Sequence, residues 1–201
     1  AYVQNKFADW GAIGAALQFD PTQSVKDPEG KYGGYWAWLQ ANGDPVSQAT
    51  SNPVALLEQR EDISDVYNFI GNLGVDYTIH GFEDLKATLN LGYNYTKGEG
   101  TVYVPTDAAF AYDPLTGGGV DNLYEQEKRN ELIDFYLTYT KNVASIHSDF
   151  SVMAGYSWQH FYRSNYAVNS NVAHTPSQTD TIDDPSEYYL ISFFGRFNYS
   201  F

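Results

Sequence analysis

The 201-residue chain contains no cysteine. That absence excludes a disulfide framework, a thiolate-ligated zinc site and a thiol nucleophile. Basic residues are scarce, with 11 Lys and Arg against 25 Asp and Glu, a formal net charge of −14. A nucleic-acid surface is excluded with them, because neutralising phosphates takes clustered cations. No apolar run approaches the roughly 18 residues that a membrane-spanning helix needs. What the chain has instead is aromatic side chains, 17% of the total, including 18 Tyr and 12 Phe, with only 18% charged residues. That profile points to many aromatic-rich strands.

Period-two alternation dominates and separates strands from helices. From Val66 to His80, Tyr67, Phe69, Leu73, Val75, Tyr77 and Ile79 share one face, while Asn68, Asn72, Asp76 and Thr78 share the other. After a turn at 81–84 the pattern resumes to Thr96, with Leu85, Leu89, Leu91, Tyr93 and Tyr95 against Lys86, Thr88, Asn90 and Asn94. This spacing predicts a hairpin. Further strands are predicted over 131–141, over 146–162 after a turn at 142–145, and over 188–201. Five strands are visible in all.

Connections alternate in length: short at 81–84 and 142–145, long at 97–129 and 163–187. Strands with short turns at one end and long loops at the other fit an outer-membrane β-barrel, whose turns are periplasmic and whose loops are extracellular. Of the 25 acidic residues, 18 fall in 20–65, 97–129 and 163–187, leaving the strands nearly uncharged. Within the apolar faces, Tyr67 and Phe69, Tyr93 and Tyr95, and Tyr156, Trp158 and Tyr162 gather at loop ends. Tyr77, Tyr199 and Phe201 gather at turn ends. Two aromatic bands around an aliphatic middle match the girdles of a membrane barrel.

Residues 1–65 read differently, as a long loop region with a short Ala-rich helix over 8–19, broken by Asp20-Pro21. The chain begins without an initiator Met or a signal-peptide pattern and stops at FFGRFNYSF, inside an alternating run. It therefore reads as a piece of something longer.

No catalytic constellation emerges. Gly155-Tyr156-Ser157-Trp158-Gln159 lacks the final Gly of a nucleophile elbow and lies in an alternating strand. His80, His147, His160 and His174 have no HExxH spacing, and His80 and His147 stand beside short turns. The acid pairs Glu61-Asp62, Glu83-Asp84 and Asp183-Asp184 fit turn formation and solubility better than glycosidase chemistry. Asp113 and Asp121 flank Gly117-Gly118-Gly119 without an EF-hand spacing, and that segment reads as a flexible loop. Asn94-Tyr95-Thr96 and Asn198-Tyr199-Ser200 match the glycosylation pattern but lie within strands. Nothing points to a metal or an organic cofactor.

Binding is the better reading. Exposed loop aromatics stack on sugar faces or peptide side chains, and neutral amides and hydroxyls satisfy polar groups. Tyr32, Tyr35, Trp36, Trp38, Tyr103 and Tyr112 are the candidates for a surface facing a substrate or a lid, with packing of loop against loop as the competing reading.

Three stretches carry a resemblance: Gly11-Ala-Ile-Gly-Ala-Ala-Leu-Gln-Phe-Asp-Pro-Thr-Gln-Ser-Val25, Asn52-Pro-Val-Ala-Leu-Leu-Glu-Gln59 leading to Asp76-Tyr77, and Phe193-Phe-Gly-Arg-Phe-Asn-Tyr-Ser200. Together they resemble the SusC/RagA-type TonB-dependent transporters of the Gram-negative outer membrane. The resemblance implies an all-β chain forming about five strands of a 22-stranded transmembrane barrel with a plug, the plug and remaining strands being absent from these residues. It further implies uptake of an oligosaccharide or a peptide, a SusD-like surface lipoprotein as lid, and energy from the TonB complex acting through other parts of the molecule.

On that reading the apolar face meets outer-membrane lipid, and the wet face lines the lumen. Its members are Asn68, Asn72, Asp76, Lys86, Thr88, Asn90, Asn94, Asp134, Thr138, Ser157 and Arg196, none of them catalytic. Two rivals are a passive porin-like barrel and a soluble all-β glycan-binding module whose apolar face is an ordinary core.

Overall fold

Side-chain alternation along an extended chain leaves each strand with one face to hide, and neighbouring strands agree on which. The computed structural model describes residues 1–201 as one antiparallel sheet of six strands in chain order, open at both edges. They are β1 (Tyr2–Lys6), β2 (Glu61–Thr78), β3 (Leu85–Val104), β4 (Val120–Val143), β5 (Ser148–Asn169) and β6 (Asp180–Ser200). Two short helices, α1 (Gly11–Gln18) and α2 (Pro53–Glu58), lie between β1 and β2.

The register keeps the two faces apart across the sheet. Leu73 stands opposite Leu91, then Ile133, Trp158 and Ile191 in successive strands. The adjacent row reads Gly74, Asn90, Asp134, Ser157 and Ser192. A slip of one residue in any pair would exchange an apolar row for a polar one, so the pattern fixes the register.

The strands are longer than the alternation shows. β4 has 24 residues, roughly 80 Å of extended chain, whereas a tilted strand crosses a bilayer in about 9–11 residues. The alternating segments occupy the turn-proximal part of each strand. The distal parts Glu61–Asp65 and Val120–Asn130 carry polar or charged residues on both faces, and Lys97–Val104 sets Lys97, Glu99, Thr101 and Tyr103 against Gly98, Gly100, Val102 and Val104. These distal ladders replace much of the expected loops, which contract from 97–129 to 105–119 and from 163–187 to 170–179. The helix expected over 8–19 is confined to α1, and the expected 1–65 loop region contains β1, α2 and the start of β2. A sixth strand is thereby added.

The chain has no core of the kind a soluble sandwich needs. Only 15 of 201 residues are buried, and several of these, among them Tyr32, Val104 and Ala108, lie where the loops meet the strand ends. The apolar face has no layer over it: Phe69 is 59% exposed and Phe193 81%. Its aromatics pair across strands, Phe69 with Tyr93 at 6.1 Å, Tyr156 with Phe193 at 5.4 Å and Phe150 with Tyr199 at 5.1 Å between ring centroids.

Candidate functional site: a loop cavity above a polar wall

The loop before β2 is tied to both ends of α2. Asn52 caps α2, its carboxamide oxygen accepting from the amides of Val54 (3.1 Å) and Ala55 (3.3 Å), with Pro53 at the first helical position. Its Nδ2 donates to the carbonyls of Val25 (2.7 Å) and Trp36 (3.0 Å), tying two distant loop segments to the helix start. A second tie lies at the helix end, where Lys26 Nζ is 2.8 Å from Glu58 Oε2 and 3.7 Å above the Tyr35 ring. Tyr35 donates its hydroxyl to the same carboxylate. The Lys26 ammonium, and after it the Tyr35 hydroxyl, hold the Glu58 carboxyl below the usual carboxylate range. Trp36 and Trp38 then meet edge to face at 4.7 Å, with Phe19 edge-on to Trp36 at 5.8 Å.

The facing wall comes from residues 105–119. Tyr112 donates to Asp44 Oδ1 at 2.7 Å, an interaction that raises the phenol pKa, and its ring stands edge-on to Tyr32 at 5.9 Å. The Gly117-Gly118-Gly119 segment runs with φ of +88°, +67° and +74°. A Cβ on Gly118 would lie 2.5 Å from the Ala111 carbonyl oxygen, so only glycine closes this loop. Asp113 accepts from Leu115 N and the Thr116 hydroxyl, and Asp121 pairs with His174 at 3.0 Å. The 170–179 loop joins through Asn171, which donates to the Thr116 carbonyl at 2.9 Å. The three loops form one connected roof.

Between the first two loops lies a cavity of about 510 Å³. Tyr35, Trp36, Trp38 and Tyr112 line it, together with the neutral amides of Gln40 and Asn42. Tyr32 is packed beneath, 4% exposed, its hydroxyl donating to the Gly43 carbonyl at 2.9 Å. Tyr103 stands apart on β3, opposite Glu61 and Asp121, and does not line the cavity. Aromatic faces beside amides can hold a polyhydroxylated or amide-bearing ligand; no acid–base pair suited to bond cleavage lines the space.

The eleven polar strand residues, Asn68 through Arg196, share one face of the sheet. Several are cross-linked there: Asn68 to Thr96 (2.7 Å), Thr88 to Asp76 (2.7 Å), Lys86 to Asp76 (3.0 Å) and Ser157 to Asp134. The same face also carries aromatic pairs that alternation assigns to no role. Tyr136 and Phe194 approach to 6.2 Å over Gly155, and Phe161 stacks on Tyr188 at 4.9 Å with 17° between planes. The signal for the second pair is the unbroken apolar run Tyr188-Tyr189-Leu190-Ile191, which puts large side chains on both faces.

An open antiparallel sheet with one bare apolar face and one hydrogen-bonded polar face is consistent with a section of transmembrane β-barrel wall. The chain is 31% identical over 220 aligned residues, 98% of its own length, to the TonB-dependent receptor SusC of Bacteroides thetaiotaomicron. It is a SusC-type sequence, and it spans 21% of the length of that curated relative. No protein-family model matches the chain.

Proposed function

We propose that these residues form part of the wall and the extracellular roof of a plugged, 22-stranded TonB-dependent importer in a Gram-negative outer membrane. The observation that carries this reading is the apolar face, continuous across five strands yet uncovered, in a chain related to SusC along nearly all its length. In lipid every backbone polar group needs a partner, so the free edges of β1 and β6 pair with further strands of the same barrel. The polar face lines the lumen. The roof cavity takes up an oligosaccharide or a peptide, its rings supplying stacking surface and its amides supplying direction. No step of bond cleavage is assigned to the chain. Trp10, just before α1, and Ile13 and Leu17 on it, 95%, 78% and 84% exposed, give a SusD-like lipoprotein an apolar contact outside the cavity.

The test is uptake by cells that carry the whole protein, with Trp36→Ala and Trp38→Ala combined. Loss of import with the variant still in the outer membrane supports the reading. Recovery of the wild type as a soluble species without detergent overturns it.

A further inference from the structure

Just beyond the apolar band, the polar face changes character. Lys128 of β4 and Arg163 of β5 stand directly opposite each other on it. Like charges in register across a strand pair destabilise it, and this chain has few cations to misplace, 11 among 201 residues with a net charge of −14. Lys26, Lys31, Arg60, Lys86, Lys97 and Lys141 all have carboxylate partners. Lys6, Lys128, Arg129, Arg163 and Arg196 form no such pair; of these, Lys128 and Arg163 stand opposite each other, and the Arg163 guanidinium meets the carboxamide of Asn165 at 3.4 Å.

The surrounding rows sharpen the contrast. The row through the two cations reads Asn68, Thr96, Lys128, Arg163 and Ser186 across β2 to β6, and the row below it Ile70, Asn94, Asn130, Phe161 and Tyr188. The row above ends in Asp184, the single carboxylate of the three, on strand β6. Meanwhile Glu125, Glu127 and Glu131, the acidic residues of β4 at this height, all point by register to the opposite face. Those acids of β4 are turned away from this patch, which holds two cations against the one carboxylate of Asp184. Immediately below them Phe161 and Tyr188 stack face to face, and Lys128, Arg163, Asn130, Tyr188 and Asp184 line a recess of about 540 Å³ beside the pair.

An exposed tyrosine ring backed by a phenylalanine, with a guanidinium and an ammonium that have no carboxylate partner beside it, matches one ligand chemistry. We propose that this inner-wall patch is a subsite for an acidic saccharide, one whose rings carry carboxylate or sulfate groups. The sugar face packs on the outer face of Tyr188, 52% exposed and backed by the Phe161 ring. Arg163 binds the anionic group through paired N–H donors, Lys128 supplies a second positive charge, and Asn130 and Asn165 take hydroxyls. Asp184 bounds the site on the β6 side and disfavours anionic groups beyond it. This deepens the importer reading and rests on it, because it takes the polar face as the lumen wall.

The experiment is titration calorimetry on the whole protein in detergent. The probes are three acidic hexasaccharides (hexagalacturonate, a chondroitin sulfate hexasaccharide and a heparin-derived hexasaccharide) and neutral maltohexaose and cellohexaose. The expected result is binding of at least one acidic probe, weakened at least tenfold by Lys128→Gln with Arg163→Gln and weakened again by raising NaCl. Phe161→Leu should weaken the same probe. Because the double substitution removes a like-charge opposition, it should unfold at an equal or higher temperature than wild type. Equal acidic binding by wild type and double variant overturns the subsite, as does a lower unfolding temperature of the double variant without loss of binding. Binding of a neutral probe alone overturns the subsite and leaves the importer reading standing. Binding of no saccharide overturns the subsite and the oligosaccharide branch of that reading together.

Discussion

His160 Nδ1 lies 2.8 Å from Glu131 Oε2 on the neighbouring strand, and its Nε2 lies 2.8 Å from Glu187 Oε1 on the other side. The ring stacks on Tyr189 at 4.4 Å with 6° between planes, and Tyr189 donates to Glu187 at 2.8 Å. β4, β5 and β6 are thus clasped on the apolar side of the sheet, one row beyond Trp158, where the apolar band ends. Only the doubly protonated imidazolium has an N–H for each carboxylate.

The clasp therefore contributes fully while the ring holds both protons and weakens as rising pH removes one. Thermal unfolding of the whole protein in detergent should show a midpoint that falls with rising pH through the imidazole titration. His160→Ala should start lower, because Glu131 and Glu187 lose the imidazolium that joins them, and should lack that pH step. An unchanged step in the variant would assign it elsewhere.

Asn52 joins a helix cap to two loop carbonyls. Asn52→Ala removes the cap and strips a donor from the carbonyls of Val25 and Trp36, at an expected cost of about 2–4 kcal/mol to the stability of the roof. Limited proteolysis should then cut within 19–52 well before the sheet is attacked. Asn52→Asp retains the cap acceptors and loses both donations, so it should fall between the two.

The Glu58 anchor titrates in the opposite sense to the clasp. Its carboxyl is held below the ordinary range by Lys26 first and Tyr35 second, so the stabilisation is present above the unfolded carboxylate pKa of about 4.3 and is lost as pH falls through the lower folded value. Acidification should shift the fluorescence of Trp36 and Trp38, and Glu58→Gln should abolish that transition. A transition of unchanged midpoint in the variant would contradict the assignment.

Gly155 lets Tyr136 and Phe194 close over the polar face. A Cβ there would lie 2.5 Å from Phe194 Cζ and 2.6 Å from Tyr136 Cβ. Gly155→Val should cost about 1–3 kcal/mol through overpacking, read as a lowered unfolding midpoint. Its neighbour Ala154 faces the other way, and Ala154→Val should change the midpoint little.

How far the sequence carried depends on where water is. Between Leu85 and Tyr95, or Ile133 and Tyr139, one face meets an apolar surrounding and the other a wet one, and alternation is plain to read. In Val120–Asn130 or Asp180–Glu187 polar and charged residues occupy both faces, the period-two signal vanishes, and strand reads as loop. β1 was illegible for the same reason, since YVQNK carries no apolar face. In the roof, the aromatic cluster at Tyr35, Trp36 and Trp38 stood out by composition. That Tyr112 would face it, and Tyr103 would not, depends on a contact between residues 68 apart, Tyr112 to Asp44. The opposition of Lys128 and Arg163 and the clasp at His160 follow from register, which no single segment encodes.

The central claim is that odd residues of β4 face lipid and even residues face a wet lumen. These 201 residues contain no cysteine, so a single introduced one reports alone within them. Cysteines placed in turn at Ile133, Asp134, Phe135, Thr138 and Leu137 of the whole protein, labelled with a fluorophore and reconstituted in bilayers of brominated lipid, read the faces directly. The account predicts strong quenching at 133, 135 and 137 and weak quenching, with access to a water-soluble quencher, at 134 and 138. Quenching that fails to alternate, or that is weak at all five positions, would contradict it.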